Sequence, residues 1–201
     1  MAILTNSDIK KLLESQVLTI SPLLDPERQI GDASVDLRLG NEFIGFRRTN
    51  LGHIDPSHRE ELRANLERYQ EKVRVSYGKS LVLHPGQFVL GASLEYLALP
   101  DRLAGQVVGR SSWGRLGLII ATATAVDPGF RGCITLELVN HGEIPIVLYP
   151  GVRIAQLVLC ETTSPVRYTG RYQWPTGPQF SRLHEDPDIE LWADEEKWTE
   201  R

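Results

Sequence analysis

Only two cysteines, Cys133 and Cys160, occur in the 201 residues. That excludes a disulfide framework and a four-cysteine zinc site. No apolar run approaches the roughly 18 residues a membrane span needs. The N-terminus, Met1-Ala2-Ile3-Leu4-Thr5-Asn6, lacks the basic segment and apolar core of a secretory signal. A reducing cytoplasm is therefore the expected setting, with no membrane partner. An excess of positive charge is also missing: 22 Lys and Arg stand against 26 Asp and Glu, a net charge of −4. This argues against a general nucleic-acid binder, whose affinity comes from phosphate contacts. No Walker A, G-x-S-x-G or Rossmann fingerprint is found, nor any internal repeat.

What is present is the composition of a folded chain, 41% hydrophobic and 24% charged. Thr5-Asn6-Ser7-Asp8 followed by Ile9, Leu12 and Leu13 predicts a short N-terminal helix. Val35, Leu37 and Leu39 alternate with Asp36 and Arg38, which predicts a strand with one buried face. The charge-rich stretch 57–72, with Leu62, Leu66 and Tyr69 at helical spacing, reads as a surface helix. From Val73 to Cys160 the pattern is all β. Candidate strands are Ser80–Leu83, Phe88–Ala92, Tyr96–Leu99, Ala104–Val108, Gly132–Val139, Ile144–Val147 and Arg153–Cys160. Three Pro-Gly pairs, at 85–86, 128–129 and 150–151, mark type II turns between them. Many short strands at close spacing imply a barrel, sandwich or jelly roll rather than a βαβ fold. Residues 161–182 mix Pro and Gly with Tyr168, Tyr172, Trp174 and Phe180, the composition of an arm that docks on another surface. Residues 183–201 form an acidic extension carrying Trp192 and Trp198, which reads as a solvated tail or a short terminal helix.

Two segments hold chemistry. Gly109-Arg110-Ser111-Ser112-Trp113-Gly114-Arg115 combines glycines that admit a ligand close to the backbone with hydroxyls and guanidinium groups that bind phosphate oxygens. The same pattern also fits a glycine-rich turn with solvated arginines. In the strand Ile134-Thr135-Leu136-Glu137-Leu138, the apolar residues face one way and Thr135 and Glu137 the other. A carboxylate in such a run suits either a raised-pKa acid–base or an ordinary exposed face. His141-Gly142-Glu143 matches the H-x-E of zinc-dependent base deaminases, but no P-C-x-x-C follows. A zinc site is not expected.

Four blocks taken together, in order and spacing, carry a family resemblance. They are Ser34–Gly40, Gly109–Ser112 running into Arg115–Leu118, Asp127–Phe130 with Ile134–Leu138, and Pro150–Leu157. Over residues 1–182 the chain resembles the dCTP deaminases, which share a fold with the trimeric dUTPases. The resemblance implies a mainly β, distorted jelly-roll (β-clip, dUTPase-like) subunit with a short N-terminal helix and a C-terminal arm. It implies a homotrimer with active sites between subunits. It implies hydrolytic deamination of dCTP to dUTP and ammonia, with Mg²⁺ carried on the substrate triphosphate and no catalytic metal. Glu137 would be the general acid–base, and Ser111 and Arg115 would position the water and stabilise charge at the base. Arg110 and Ser112 would bind the triphosphate, Asp127 and Phe130 would contact the deoxyribose, and Thr135 and Leu136 would flank the base pocket. Tyr168 and Arg171 would belong to the arm that closes over the phosphates.

Departures from the family pattern fall in four places, one of them Arg171, which stands where a lysine is usual. The stretch 119–126 is one residue short and lacks a histidine, in a loop that takes part in inhibition by dTTP in some members. Pro175 stands where many members have glutamine. Gln156, in Arg153–Leu157, looks more like the dUTPases and the bifunctional deaminase–dUTPases, which leaves open a dUMP-forming enzyme or a dUTPase-like binder without deaminase activity.

Overall fold

The computed structural model describes residues 2–47, 50, 52–120 and 125–189. The chain begins with helix α1 (Asn6–Glu14), opened as expected at Thr5, whose backbone N–H and hydroxyl both donate to the Asp8 carboxylate. Strand β1 (Thr19–Ser21), the single turn α2 (Pro26–Gln29), β2 (Val35–Arg38) and β3 (Glu42–Phe46) follow. Next come α3 (Arg59–Tyr69), β4 (Gln70–Arg74), β5 (Leu81–Leu83), β6 (Phe88–Ala98) and β7 (Leu103–Gly109). The single turn α4 (Ser111–Gly114), β8 (Leu118–Ile120), β9 (Ala125–Val126), β10 (Arg131–Asn140), β11 (Ile146–Leu148) and β12 (Arg153–Glu161) complete the sheets, and a 3-10 turn spans Leu183–Glu185.

All strand pairs are antiparallel. One sheet runs β4-β3-β6-β10-β8, with β1 pairing the far end of β6; a second runs β2-β12-β7-β9; β5 and β11 form a separate pair. Leu37, Leu97, Leu136, Leu138, Ile154 and Leu157 are fully buried where these layers face each other. The result is the mainly β architecture expected from the sequence, with its short N-terminal helix. Each of the three Pro-Gly turns closes as an i+3 to i hydrogen bond, Gln87 to His84, Phe130 to Asp127 and Val152 to Tyr149, with its glycine at positive φ.

Several expectations need correction. Segments 88–92 and 96–99 belong to one long strand, β6, broken by a bulge opposite Cys133–Thr135. There the Ser93 hydroxyl accepts from Ile134 N and donates to Glu95 O, satisfying groups the bulge would orphan. The strand at 35–38 is buried on both faces, because Asp36 is covered by side chains from β12. The helix expected over 57–72 ends at Tyr69, and Gln70–Arg74 pairs with β3 as a strand. Its apolar stripe is not at the surface: Leu62, Leu66 and Tyr69 form a small second core with Ile189. Ile189 of that core lies within the stretch 183–201 read as an acidic extension, while 190–201, including Trp192 and Trp198, lie outside the described residues.

Candidate active site

Strand β10 is the wall on which the site is built. Its inward face places Leu136 and Leu138 in the core, fully buried, and turns Thr135 and Glu137 outward. Antiparallel register puts Leu90 of β6 and Ile44 of β3 opposite Glu137 on the same face. Above that face lies a cavity of about 520 Å³. Glu137, Thr135, Asp127, Phe130 and Tyr168 all line it. Its floor is apolar, from Phe46, Phe88 and Leu90, and it is roofed by Leu62, Leu66 and Tyr69 of α3 and by Gln179, Phe180 and Leu183 of the arm.

The apolar surroundings act on the acid. Burial pushes the Glu137 carboxyl above the usual carboxylate range. Phe130, on the turn after Asp127, is buried and meets the Tyr168 ring edge-on at 5.8 Å between centroids. The Tyr168 backbone N–H donates to Pro128 O, so the start of the arm is fixed to that turn. Further along, Cys133 N donates to Pro175 O at 2.7 Å and Trp174 N to Arg131 O at 3.1 Å. The arm thus docks on this chain's own β10.

Arg110, Ser111, Ser112, Arg115 and Gln156 do not line this cavity. They gather on the other sheet, where β7 runs into α4 beside β12. Ser111, Ser112 and Arg115 are exposed. Arg110 lies 3.5 Å from Asp36 Oδ2 and donates from Nη1 to Arg153 O at 3.3 Å. The Gln156 amide donates to Asp36 Oδ1 at 3.2 Å and to the Ser34 hydroxyl at 3.4 Å. Leu136 faces the core rather than the cavity. Arg171 is exposed and paired with Asp186 at 2.6 Å, its Nη1 donating to Arg182 O. Half of the shortened stretch 119–126, residues 121–124, lies outside the described residues.

Sequence reasoning missed the aromatic floor and the roof from α3. It also missed Asp36 and Arg153 as partners of Arg110. Strand alternation pointed Asp36 to solvent, and only the pairing of β2 with β12 covers it.

The family model for dCTP deaminase-like proteins matches residues 3–162. A "dCTP deaminase, dUMP-forming" of Methanothermobacter thermautotrophicus is 45% identical over 197 residues, 94% of this chain and 98% of that one. A "dCTP deaminase" of Natronomonas pharaonis is 45% identical over 194 residues, 93% of this chain and 97% of its own. Among solved structures, the 2′-deoxycytidine 5′-triphosphate deaminase of Agrobacterium tumefaciens superposes with a TM-score of 0.60 at 27% identity. That match covers 78% of this chain and 46% of the longer Agrobacterium chain.

Proposed function

The chain belongs to the dCTP deaminase-like family and is an enzyme that deaminates dCTP, and from that premise we propose that Glu137 is the general acid–base of the reaction. The observation that carries this reading is a carboxylate, raised in pKa by burial, on the wall of an apolar cavity large enough for a nucleotide base. A carboxyl whose pKa is pushed upward is better matched both to taking and to giving a proton.

In the proposed sequence, Glu137 removes a proton from a water attacking C4 of cytosine. The tetrahedral carbon then expels the exocyclic amine, which Glu137 protonates. One water is consumed; dUTP and ammonia leave. Ser111 and Arg115 position the water and stabilise charge on the ring. Arg110 and Ser112 bind the triphosphate and Gln156 is a further substrate-binding residue; Mg²⁺ would accompany the triphosphate. Asp127 and Phe130 contact the deoxyribose, Thr135 flanks the base with Leu136 packed behind it in the core, and Tyr168 and Arg171 serve the closing arm. Excluding water beneath the arm strengthens the electrostatics inside. dTTP is read as a second occupant of the same cavity, and the cytoplasm as the compartment.

Glu137 and the Arg110–Arg115 segment occupy different parts of one chain. We read this as two half-sites that a homotrimer joins, each cavity receiving the Arg110–Arg115 segment of a neighbouring copy. The deciding experiment incubates the protein with dCTP and Mg²⁺, measuring ammonia and separating the nucleotides. Ammonia with dUTP supports the reading; dUMP would reveal a second hydrolytic step; no ammonia at any pH would overturn it.

A further inference from the structure

We propose that Asp36 is a positioning residue for the triphosphate and that Arg153 is a second cation of the same subsite. This deepens the assignment of Arg110 to the triphosphate and rests on it.

Asp36 is 6% exposed. A carboxylate so buried costs several kcal/mol unless it is paired and hydrogen-bonded. Its oxygens are taken up by three side chains. Oδ2 accepts from Arg153 Nη1 at 2.9 Å and lies 3.5 Å from Arg110 Nε; Oδ1 accepts from Gln156 Nε2 at 3.2 Å. Arg153 Nη1 also donates to Arg28 O at 2.7 Å, which ties the cluster to α2. The Arg153 carbonyl in turn accepts from Arg110 Nη1 and from the Trp113 indole N–H at 2.9 Å. Arg110 is therefore held from two directions, at Nε and at Nη1.

The charge balance suits a polyanion. Two guanidinium groups against one carboxylate leave a local excess of one positive charge in a protein of net charge −4. Both arginine side chains stay reachable, 27% and 30% exposed, beside the exposed hydroxyls of Ser111 and Ser112. The described contacts use Nε and Nη1 of Arg110 and Nη1 of Arg153, leaving the other guanidinium N–H groups to face phosphate oxygens. A long arginine loses much rotamer freedom when it grips a ligand, and fixing it beforehand removes that cost from binding. Asp36 does this fixing without touching the substrate.

The test compares Asp36→Asn, Arg153→Met and Arg110→Met. It measures kcat and KM for dCTP, binding of dCMP, and inhibition by inorganic tripolyphosphate. Asp36→Asn and Arg153→Met should each raise KM for dCTP about tenfold and weaken tripolyphosphate inhibition in parallel. kcat should stay within about twofold and dCMP binding should be unchanged, a split that a purely structural role would not produce. Equal losses for dCTP and dCMP, or an unchanged KM, overturn the proposal. If Arg110→Met loses the triphosphate preference while the other two keep it, this proposal alone falls. If Arg110→Met keeps the preference, the assignment of Arg110 falls, and this proposal with it. Should Asp36→Asn not fold, Arg153→Met decides, because Asp36 then still holds Arg110 and Gln156.

Discussion

The backbone N–H of Gln179 donates to the hydroxyl of Thr135 at 3.1 Å, which fastens the arm to β10 two residues from Glu137. With the Cys133–Pro175 and Arg131–Trp174 backbone bonds, the arm runs along the end of β10 opposite the one where β8 pairs with Leu138–Asn140. The cavity's roof and its acid are thus joined through one strand.

That joint is testable at Gly132. It has φ +146, and a Cβ there would fall 2.3 Å from Pro175 Cδ and 2.9 Å from Pro175 N. Gly132→Ala should detach the arm. KM for dCTP should rise about tenfold, with faster proteolysis beyond residue 165, and local strain should cost about 1–3 kcal/mol of stability. Steady-state kinetics, limited digestion and thermal melts check this. A variant with wild-type KM would uncouple arm docking from substrate binding.

Glu137→Gln should stop ammonia release while leaving nucleotide affinity largely intact. It should also change the pH profile of stability. The carboxyl's folded pKa is raised by burial, so its contribution to stability is present below the unfolded carboxylate pKa and is lost as pH rises through the folded value. Removing the acid should therefore stabilise the protein at neutral pH relative to wild type and make no such difference at acid pH. Denaturant melts at both pH values measure it. Loss of nucleotide binding would assign Glu137 a structural role instead.

Subunit mixing addresses the divided site. Glu137→Gln and Arg115→Gln should each be inactive alone. Unfolded together and refolded, they should recover a fraction of wild-type turnover, because some interfaces would pair an intact Glu137 with an intact Arg115. No recovery, with mixed trimers verified by mass spectrometry, would place both residues in one chain's site.

Phe130 is buried against Tyr168 on the cavity wall. Trimming it to Ala opens space where a ribose 2′-hydroxyl would fit. The preference for dCTP over CTP in kcat/KM should fall by about 10–100-fold. An unchanged ratio would move sugar selection elsewhere.

Glu95 tests the frame beneath the site. It is fully buried; Oε1 accepts from Gln29 Nε2 at 2.9 Å and Oε2 from Arg38 N at 2.8 Å. Glu95→Gln would turn one acceptor into a donor facing Gln29 Nε2. Gln29 cannot simply flip, because its Oε1 accepts from Asp25 N and Arg38 Nε. The variant should lose about 1–3 kcal/mol. Burial raises the Glu95 carboxyl, so wild-type stability should decline as pH climbs from the ordinary glutamate value of 4.5 through the folded value. The variant should lack that slope in urea titrations.

How far the sequence reached depends on the range of the forces involved. Period-two alternation named β10, β12, β7 and most of β6, and Pro-Gly pairs named three turns, because side-chain direction and φ are set within a few residues. The same alternation showed that Thr135 and Glu137 share a face. The four blocks in their order carried the family. The raised pKa of Glu137 was left open until packing decided it, since burial raises it and the apolar residues lining the cavity, Phe46, Phe88 and those of α3, are distant in sequence. Asp36 shows the limit most plainly. Its strand position predicted solvent, and only the docking of β12 beside β2 set two arginines and a glutamine against it. Local chemistry determined which strands form and which way they turn; the tertiary structure alone decided which charges meet, because charges meet across sheets whose pairing no short stretch of chain encodes.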